Sequence, residues 1–398
     1  MNHRMYPGTF PDLHEEGARP PPTLTHVTPM LTRRALNRAT LDRQLLLARS
    51  TLPVVEAVEH LVGLQAQTPH SWYVGLGVRL EDVRTEQIAQ LLLDRQLVRI
   101  ALMRSTIHLV SARDCLWLRP LTQPVLDRDL FSNHTHGEPV QGLDMDELIA
   151  AARPLLKEKP RTGKELGALL AEHGRTAGWG DRPPASLAYA ARNRMALVQV
   201  PPRGVWGRSG PIAHTTAEAW LGRSSAADAS LEEMVLRYLA AFGPASVKDV
   251  QKWSGLTRLR EVVNRLRPRL AVFADDDGRE LFDVPEATRP DPDTPAPPRF
   301  LYDFDNLLLS HADRSRVITD AFRAQNYATR RPLPGIVLLD GFTAGDWQLE
   351  RERDTATLLV RPYERLASRD KDALAEEGER LLDFAAADAA TRDIHFES

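Results

Sequence analysis

Two glutamines separated by one alanine are the residues whose type and spacing best indicate which reaction this protein could catalyse. Gln65 and Gln67 lie in VGLQAQTPHSW, where a stretch of helical character runs into Thr68-Pro69. A side-chain amide is a poor acid, base or nucleophile, but it donates two hydrogen bonds and accepts others through its oxygen. Two such amides can hold one water molecule and aim it without taking its proton. That assistance suffices for a hydrolysis whose leaving group is already good.

The backbone between the two glutamines decides whether they can serve one site. Residues two apart on an α-helix point about 200° away from each other. Pro69 disfavours helical geometry at Thr68, so we expect the helix to end and the chain to leave it extended. In an extended segment, residues i and i+2 share a face, which brings both amides to one small ligand. The residues alone leave open the alternative that both side chains only cap the last carbonyls of the helix.

The elements that must position these residues follow a pattern that occurs three times. Helices are followed by two short β segments joined by a turn, as in a winged helix, where a helix-turn-helix precedes a β wing. The third copy is the clearest: Ser230 and Ser246 each precede an acidic residue by three positions, which is a capping-box pattern. LAVFA and ELFDV then flank the turn DDDGR. In the first copy, LDRQLLLARS and PVVEAVEHLVGLQ are predicted helices, and VRIALM and TIHLV a hairpin.

The predicted fold class is therefore α+β and mainly helical. It has three tandem winged-helix units, a C-terminal antiparallel β element in the form of a three-stranded meander, and a final acidic helix over roughly 368–387. The predicted boundaries are a flexible leader at 1–30, winged helices at 31–143, 144–229 and 230–285, a Pro-rich linker at 286–299, and the C-terminal element at 300–398. The first winged helix contains both glutamines.

Composition and missing motifs argue against several classes of protein. The single cysteine, Cys115, allows neither an internal disulfide nor a cysteine-based zinc cluster. The sequence has no GxGxxG after a strand, no phosphate-binding GxxxxGK[ST] loop and no HExxH. His134 and His136 have the spacing of metal ligands, but a polar exposed loop is the interpretation we favour. No apolar run approaches the roughly 18 residues of a membrane span, and the N-terminus lacks a signal-peptide core. We predict a cytoplasmic protein without metal or cofactor.

The charge distribution favours a nucleic-acid partner more than the net charge of -3 does. Residues 248–270 contain seven basic and two acidic side chains, and residues 311–331 contain five arginines and two aspartates. The planar guanidinium of arginine suits phosphate groups, so a local basic surface for DNA is expected.

Several segments of the chain resemble a known family. They are LNRATLDRQLLLAR, AVEHLVGLQAQTPHSWYVGLGVRL, LMRSTIHLVSARD, FDNLLLSHADRSRV and VLLDGFTAGDWQLER, in order over about residues 31–363. They resemble the AlkZ-type (YcaQ-related) bacterial DNA glycosylases, which are built from three winged helices and a C-terminal β element. The catalytic signature of that family is Gln-hydrophobic-Gln (or Asp in a sister branch), and Gln65-Ala66-Gln67 matches its first form.

The resemblance implies excision of N-alkylated purines from double-stranded DNA. In some members it implies the unhooking of interstrand crosslinks, and such members often protect producers of DNA-alkylating natural products. Alkylation at N7 makes guanine cationic, so the base leaves as a neutral molecule and needs little acid assistance. Gln65 and Gln67 would jointly hold the attacking water. The first lysine is Lys157, so a hydrolytic glycosylase without a Schiff-base lysine is expected. Three winged helices can enclose DNA without a partner, so we expect a monomer.

The candidates for DNA contact share a basic or aromatic side chain on a wing, in a basic segment or close after the glutamines. They are Arg104, His108, His311, Arg314, Arg316, Arg330, Arg331 and Trp72. Alternatives stay open for most of them: His108 can pack under the wing, the arginines near 314 can pair with Asp313 or Asp320, and Trp72 can brace the loop or pack in the core. Asp303 and Asp305 are candidates for stabilising a cation, with a helix N-cap as the alternative.

Two other functions compete with a glycosylase. One is a DNA-binding protein without catalysis, such as a transcription regulator, although PASLAYAARNRM and RLREVVNRLR offer few side chains suited to reading base edges. The other is a scaffold that uses its wings for protein contacts. Release of an alkylated base from duplex DNA would distinguish the enzyme from both.

Overall fold

Side-chain caps fix where several helices begin. In the computed structural model, which describes residues 28–224, 229–326 and 334–397, the hydroxyls of Ser111 and Ser230 accept hydrogen bonds from the first-turn backbone. Thr162 and Ser246 form complete capping boxes with the carboxylates three residues later. The helix starts predicted at these positions are confirmed. Residues 1–27, which make up most of the predicted leader, and Arg330 and Arg331 lie outside the described residues.

The chain is α+β and contains more helix than strand. Up to residue 132, its elements are β1 (Met30–Leu31), α1 (Arg33–Arg43), α2 (Val54–His60), β2 (Leu64–Gln65), α3 (Ser71–Gly77), α4 (Thr85–Leu93), β3 (Leu97–Ala101), β4 (Ile107–Ser111) and α5 (Ala112–Ser132). Up to residue 221 they are α6 (Met145–Glu158), β5 (Arg161–Thr162), α7 (Gly163–Ala177), α8 (Pro184–Arg194), β6 (Leu197–Gln199), β7 (Ala213–Thr216) and α9 (Ala217–Leu221).

The remaining elements form the third predicted unit and the C-terminal part. The former contains α10 (Leu231–Phe242), α11 (Val247–Ser254), α12 (Arg260–Leu266), β8 (Ala271–Asp275) and β9 (Glu280–Asp283). The latter contains β10 (Arg299–Leu301), α13 (Asp320–Asn326), β11 (Gly335–Leu339), β12 (Phe342–Glu352), β13 (Thr355–Pro362), α14 (Ser368–Ala385) and β14 (Thr391–Phe396). The hairpin predicted after α12 and the final helix are confirmed.

Two helices of the first predicted unit end earlier than the sequence indicated. The helix before residue 50 is α1, which ends at Arg43, and the helix predicted over 53–65 ends at His60. Val62 and Gly63 then adopt positive φ of 53° and 86°, which reverses the backbone before β2. A Cβ on Gly63 would lie 2.7 Å from the Val110 side chain, so only glycine allows this close approach to β4.

The first predicted wing and the strands β6 and β7 of the second predicted unit are joined in one sheet. Its strand order is β2-β4-β3-β6-β7-β5, and Arg99 and Ile100 of β3 pair with Gln199 and Val198 of β6. A second sheet has the order β1-β8-β9, in which β1 lies parallel to β8. Met30, which the sequence placed in the leader, therefore forms a strand with the third predicted wing.

The C-terminal element is larger than the predicted meander. Its sheet has five strands in the order β10-β11-β12-β13-β14. The first four are antiparallel, but β14 follows α14 and lies parallel to β13, so the prediction of a purely antiparallel element was wrong. The largest hydrophobic core joins this sheet to α3 and β4 through side chains that include Trp72, Tyr73, Phe300 and Trp347. That packing sets the loop after β10 against the glutamine segment.

Polar contacts tie α1 to distant parts of the chain. The Nε atoms of Arg34 and Arg38 donate to the carbonyl oxygens of Pro292 and Thr294 at 2.8 and 2.6 Å, so the Pro-rich segment runs along α1. Arg43 forms a two-pronged ion pair with Asp283 of β9, with N–O distances of 2.7 and 2.8 Å. Both side chains of this pair are buried.

Asp283→Ala is expected to lower the free energy of unfolding by about 3–5 kcal/mol, because it leaves a buried guanidinium without its partner. The matched control is Glu280→Gln in the exposed Arg267–Glu280 pair, which should cost less than about 1 kcal/mol. Urea denaturation measures both. Equal losses in the two variants would contradict the importance of the buried pair.

Candidate active site

The segment that contains Gln65 and Gln67 runs extended beside β4. Gln65 pairs with His108, and the backbone N–H of Ala66 donates to the Ile107 carbonyl at 2.7 Å. The extended course predicted from Pro69 is confirmed, although the helix ends several residues earlier than that proline requires. Among the described residues, neither amide bonds a carbonyl of α2, so the capping alternative is not observed.

Gln65 is almost enclosed, and one contact fixes its amide. The side chain is 4% exposed, and its Oε1 accepts a hydrogen bond from Arg104 Nη2 at 2.7 Å. A guanidinium only donates, so the oxygen of the amide must face Arg104 and its NH2 group must face elsewhere. Within the described ranges Nε2 has no protein partner, and it is not among the sealed unpartnered atoms.

Gln67 is exposed, two residues further along the same segment. Its Oε1 accepts a longer hydrogen bond, of 3.3 Å, from the Ile107 backbone N–H. The next residue, Thr68, donates through its hydroxyl to Asp303 Oδ2 at 2.5 Å. The other carboxylate oxygen of Asp303 is buried and has no partner in the described chain. One carboxylate therefore lies beside the exit of the glutamine segment.

Arg104 is placed differently from the exposed DNA contact that the sequence predicted. It lies on the turn between β3 and β4, but its guanidinium donates to the Trp253 carbonyl at 2.5 Å, to Gln65, and to Asn306 Oδ1 at 3.1 Å. The physical reason is the positive φ of Arg104 and Ser105, 55° and 59°, which turns the side chain inward. Burial, together with the charge of Arg314, lowers the pKa of Arg104 to about 10, so it remains cationic at neutral pH.

His108 packs under the wing, which is the alternative to DNA contact that the sequence left open. It is fully buried, and its Nδ1 donates to the Thr106 carbonyl at 3.0 Å. Burial and the nearby Arg104 charge lower its pKa to about 3, so the imidazole is neutral. A side chain sealed in this way does not reach DNA, which corrects the predicted contact.

Trp72 is also an interior residue rather than a surface for stacking on a base. Its Nε1 donates to the Pro69 carbonyl at 2.9 Å, and its ring stacks on Tyr73 with centroids 4.0 Å apart. The residue is fully buried. Trp72 thus braces the turn that follows Gln67, which is the alternative the sequence left open.

His311 and Arg316 are buried where the loop after β10 packs on α1 and α10. The Nε2 atom of His311 bonds the Phe242 carbonyl at 3.0 Å, and Nη1 of Arg316 donates to the Pro244 carbonyl at 2.9 Å. Burial and Arg316 lower the pKa of His311 to about 3. Both predicted DNA contacts are therefore corrected to packing roles, because three elements converge on this loop.

Arg314 is the residue of that group that stays available for an anion. It is half-buried, and its guanidinium forms no hydrogen bond or ion pair with any described residue. The pairs that the sequence allowed do not form, since Asp313 bonds Arg279 and Asp320 bonds Arg323. Its charge acts on Arg104, which places it near the glutamine site.

The two aspartates of YDFDN divide into different roles. Asp305 accepts from the Leu307 backbone N–H and forms a two-pronged pair with Arg79 at 2.8 and 2.9 Å, so it is the predicted N-cap. Asp303 lines a cavity of about 1020 Å³ that extends from Thr68 to Trp347 of β12 and to Tyr363, which follows β13. Open volume therefore adjoins the exit of the glutamine segment.

Asn306 is a site residue that the sequence reasoning missed. Its Oδ1 accepts from Arg104, and its Nδ2 donates to the Gly63 carbonyl at 3.2 Å. It follows Asp305 directly in the chain, but nothing in the local pattern connects it to Gln65. Only the tertiary packing brings these residues together.

The described residues contain neither a cluster of metal ligands nor a membrane-spanning helix. No group of His, Cys, Asp or Glu side chains among them is arranged to hold a metal ion, and His136 stacks on Tyr189 with ring centroids 4.7 Å apart. None of their helices is long and apolar enough to cross a membrane.

Comparison with known proteins gives one family match. A family model described as DNA glycosylase AlkZ-like matches residues 58–384. The chain belongs to the AlkZ-like DNA glycosylase family. The matched range includes both glutamines, Arg104 and Asn306, so the AlkZ-like region contains the whole candidate site. The resemblance found in the sequence is confirmed.

A solved structure shares the AlkZ-like fold. Streptomyces sahachiroi DNA glycosylase AlkZ matches with a TM-score of 0.70 and 20% identity, over 92% of this chain and 100% of that chain. At this identity the match shows the fold. No curated protein matches the sequence.

Acidification is expected to destabilise this AlkZ-like chain through His108. Its native pKa of about 3 lies below the ordinary value of 6.5, so the unfolded chain binds a proton that the native one does not. The free energy of unfolding should therefore fall by about 1.4 kcal/mol per pH unit for this histidine as the pH drops from 6.5 towards 3.

Urea denaturation at pH 7, 6 and 5 tests this dependence. His108→Asn should show a shallower loss of stability with acid than the wild type, whatever its stability at pH 7. His173→Asn, which replaces an exposed histidine, is the control and should keep the wild-type dependence. Identical slopes in all three proteins would refute the assignment.

Proposed function

We propose that this AlkZ-like chain is a monofunctional glycosylase that hydrolyses the N-glycosidic bond of N7-alkylated purines in double-stranded DNA. The observation that carries the proposal is the extended segment on which Gln65 and Gln67 follow each other two residues apart, with both amide oxygens held by protein donors. The family match supports DNA glycosylase chemistry. The type of lesion is what the family resemblance implies, and it agrees with the chemistry that such a pair of amides can assist.

Neutral amides fit the departure of a cationic base. N7 alkylation gives the purine a positive charge, and cleavage of the bond between C1′ and N9 releases it as a neutral molecule. The protein then has to place a water molecule beside C1′ and tolerate a sugar with oxocarbenium character. Positioning of this kind is worth up to several kcal/mol. Gln65 and Gln67 add no positive charge next to that sugar, and the carboxylate of Asp303 is suited to stabilise it.

Open space next to the site supports the proposal that bulky purine adducts are substrates. The cavity of about 1020 Å³ beside Thr68 and Asp303 can accept a substituent larger than a methyl group. We extend the proposal to the unhooking of interstrand crosslinks and to self-resistance to a DNA-alkylating natural product, since the resemblance implies both for some members of the family.

The architecture and location of the protein are part of the same proposal. We interpret the three helix–wing repeats as winged-helix units that hold duplex DNA around the glutamine site. The protein acts as a monomer, without metal or cofactor, and works on the nucleoid in the cytoplasm. Arg314, unpaired among the described residues, is the side chain near the site that we assign to a DNA phosphate.

Replacing either glutamine by alanine is expected to slow release of N7-methylguanine from duplex DNA by about 30- to 1000-fold, equivalent to about 2–4 kcal/mol of lost positioning. Single-turnover assays with a defined lesion, followed by alkali cleavage at abasic sites, measure this rate. Gln90→Ala, which removes an exposed glutamine on α4, is the matched control and should keep full activity. Tight binding without base release by the wild type would favour a regulator.

Arg314→Ala is expected to weaken DNA binding while leaving the rate at saturating DNA within about twofold of the wild type. Loss of one phosphate contact should reduce the slope of log K against log salt by about 0.9. Fluorescence anisotropy from 50 to 200 mM salt measures the slope. Arg380→Ala, in an exposed ion pair with Glu376, is the control. An unchanged slope in Arg314→Ala would remove this residue from the DNA interface.

A further inference from the structure

The turn between β3 and β4 keeps Arg104 and Ser105 in a backbone conformation that residues other than glycine rarely adopt. Such a conformation is unfavourable for a residue with a side chain, so the surrounding structure must impose it. Ser105 is held from one side, where its hydroxyl donates to Asp129 Oδ2 at 2.9 Å. On the other side Gly255 lies so close that a Cβ there would be 3.2 Å from the Arg104 backbone nitrogen. The turn is clamped between α5 and α11.

From this strained turn the Arg104 guanidinium donates hydrogen bonds to three neutral acceptors. Among the described residues it bonds no carboxylate. Two of these contacts reach the glutamine segment by separate routes. One is direct, from Nη2 to the Gln65 amide oxygen. The other runs through Asn306, which accepts from Arg104 and donates to the Gly63 carbonyl. The same guanidinium thus controls the side chain of Gln65 and the backbone two residues before it.

We propose that Arg104 is a positioning residue that locks Gln65 as a hydrogen-bond donor, an inference that rests on the proposed glycosylase function. The guanidinium has no acceptor to offer, so it holds the amide oxygen inward and leaves the NH2 group free for substrate. Donation to the amide oxygen also polarises the amide and strengthens its N–H groups as donors. Arg104 acts through Gln65 and does not touch the reacting atoms.

This orientation gives the two glutamines different tasks. Gln65 donates from Nε2 to the oxygen of the attacking water, and Gln67 accepts a hydrogen from the same water through its exposed Oε1. That oxygen has a second lone pair beside its 3.3 Å bond to Ile107. The remaining lone pair of the water forms the bond to C1′ while the bond between C1′ and N9 breaks. Its electron pair leaves with the base, which becomes neutral, and the surplus proton passes to solvent.

Gln65→Glu tests the donor role most directly. A glutamate keeps an acceptor for Arg104 and strengthens the contact, but a carboxylate has no N–H to offer. We expect this variant to match or exceed the thermal stability of the wild type and to release N7-methylguanine as slowly as Gln65→Ala. Activity in Gln65→Glu within about threefold of the wild type would overturn the donor assignment.

A double-mutant cycle tests whether Arg104 acts through Gln65. Arg104→Ala alone should lower the single-turnover rate about 10- to 100-fold, with the half-saturating DNA concentration unchanged within about twofold. Combined with Gln65→Ala it should add no further loss. Combined with Gln67→Ala it should cause a further loss, because Gln67 does not contact Arg104 and holds the water through a hydrogen bond of its own. Losses that multiply with Gln65→Ala would overturn the inference.

Two further variants separate positioning from folding. Arg104→Lys can still donate to Gln65, so it should recover part of the activity lost in Arg104→Ala. Arg128→Ala removes a neighbouring arginine that donates to the Gly255 carbonyl, without any contact to Gln65, and should keep the wild-type rate. Equal inactivation of Arg104→Lys and Arg104→Ala, with equal loss of melting temperature, would indicate a purely structural arginine.

The wild-type assay comes first, because it distinguishes failure of the proposed glycosylase function from failure of the donor role of Gln65. If the wild type releases no alkylated base, the proposed function fails and this inference fails with it. If the wild type is active and Gln65→Ala is not, but Gln65→Glu is, the function stands and the donor role alone is refuted.

Discussion

The backbone reversal at Val62 and Gly63 is the constraint on which the candidate site depends. It ends α2, starts the extended segment and requires a residue without a side chain against β4. The carbonyl of Gly63 then becomes an anchor for Asn306, which links it to Arg104. A helix that continued to residue 65 would place the two amides on different faces, so the chemistry of the pair follows from where this helix stops.

Local signals in the sequence located most elements, and long-range contacts explain most of the errors. Serine and threonine caps gave the starts of α5, α7, α10 and α11, because a cap is a contact within four residues. The helix over 53–65 was extended too far because LVGLQ is apolar enough to be helical. The contacts of Arg104 span 149 and 202 residues to Trp253 and Asn306. A turn residue is ordinarily exposed, so no pattern in the sequence could predict that this one points inward.

Several DNA contacts predicted from the arginine content were wrong because these arginines form long-range contacts inside the protein. Arg104 donates to the Trp253 carbonyl and to two side-chain amides, Arg316 donates to the Pro244 carbonyl, and Arg79 bonds the Gln44 carbonyl as well as Asp305. A guanidinium offers five donors in a plane and can join several segments that no single hydrogen bond would hold. Counting basic residues therefore overstated the surface available to phosphate. A guanidinium that reaches solvent and has no protein partner, as at Arg314, identifies a candidate contact, and both properties require a structure.

The parallel pairing of β1 with β8 has a consequence for how the protein is made. Met30 and Leu31 leave the ribosome early, but their strand partners, Ala274 and Asp275, are synthesised more than half a chain length later. Strand β1 therefore has no β8 to pair with until Ala274 and Asp275 have been synthesised. Since Asn306 is synthesised later still, the nascent chain cannot assemble the anchor beside Gly63 until that point. A ribosome-bound fragment ending before it would carry both glutamines without the contacts that orient them.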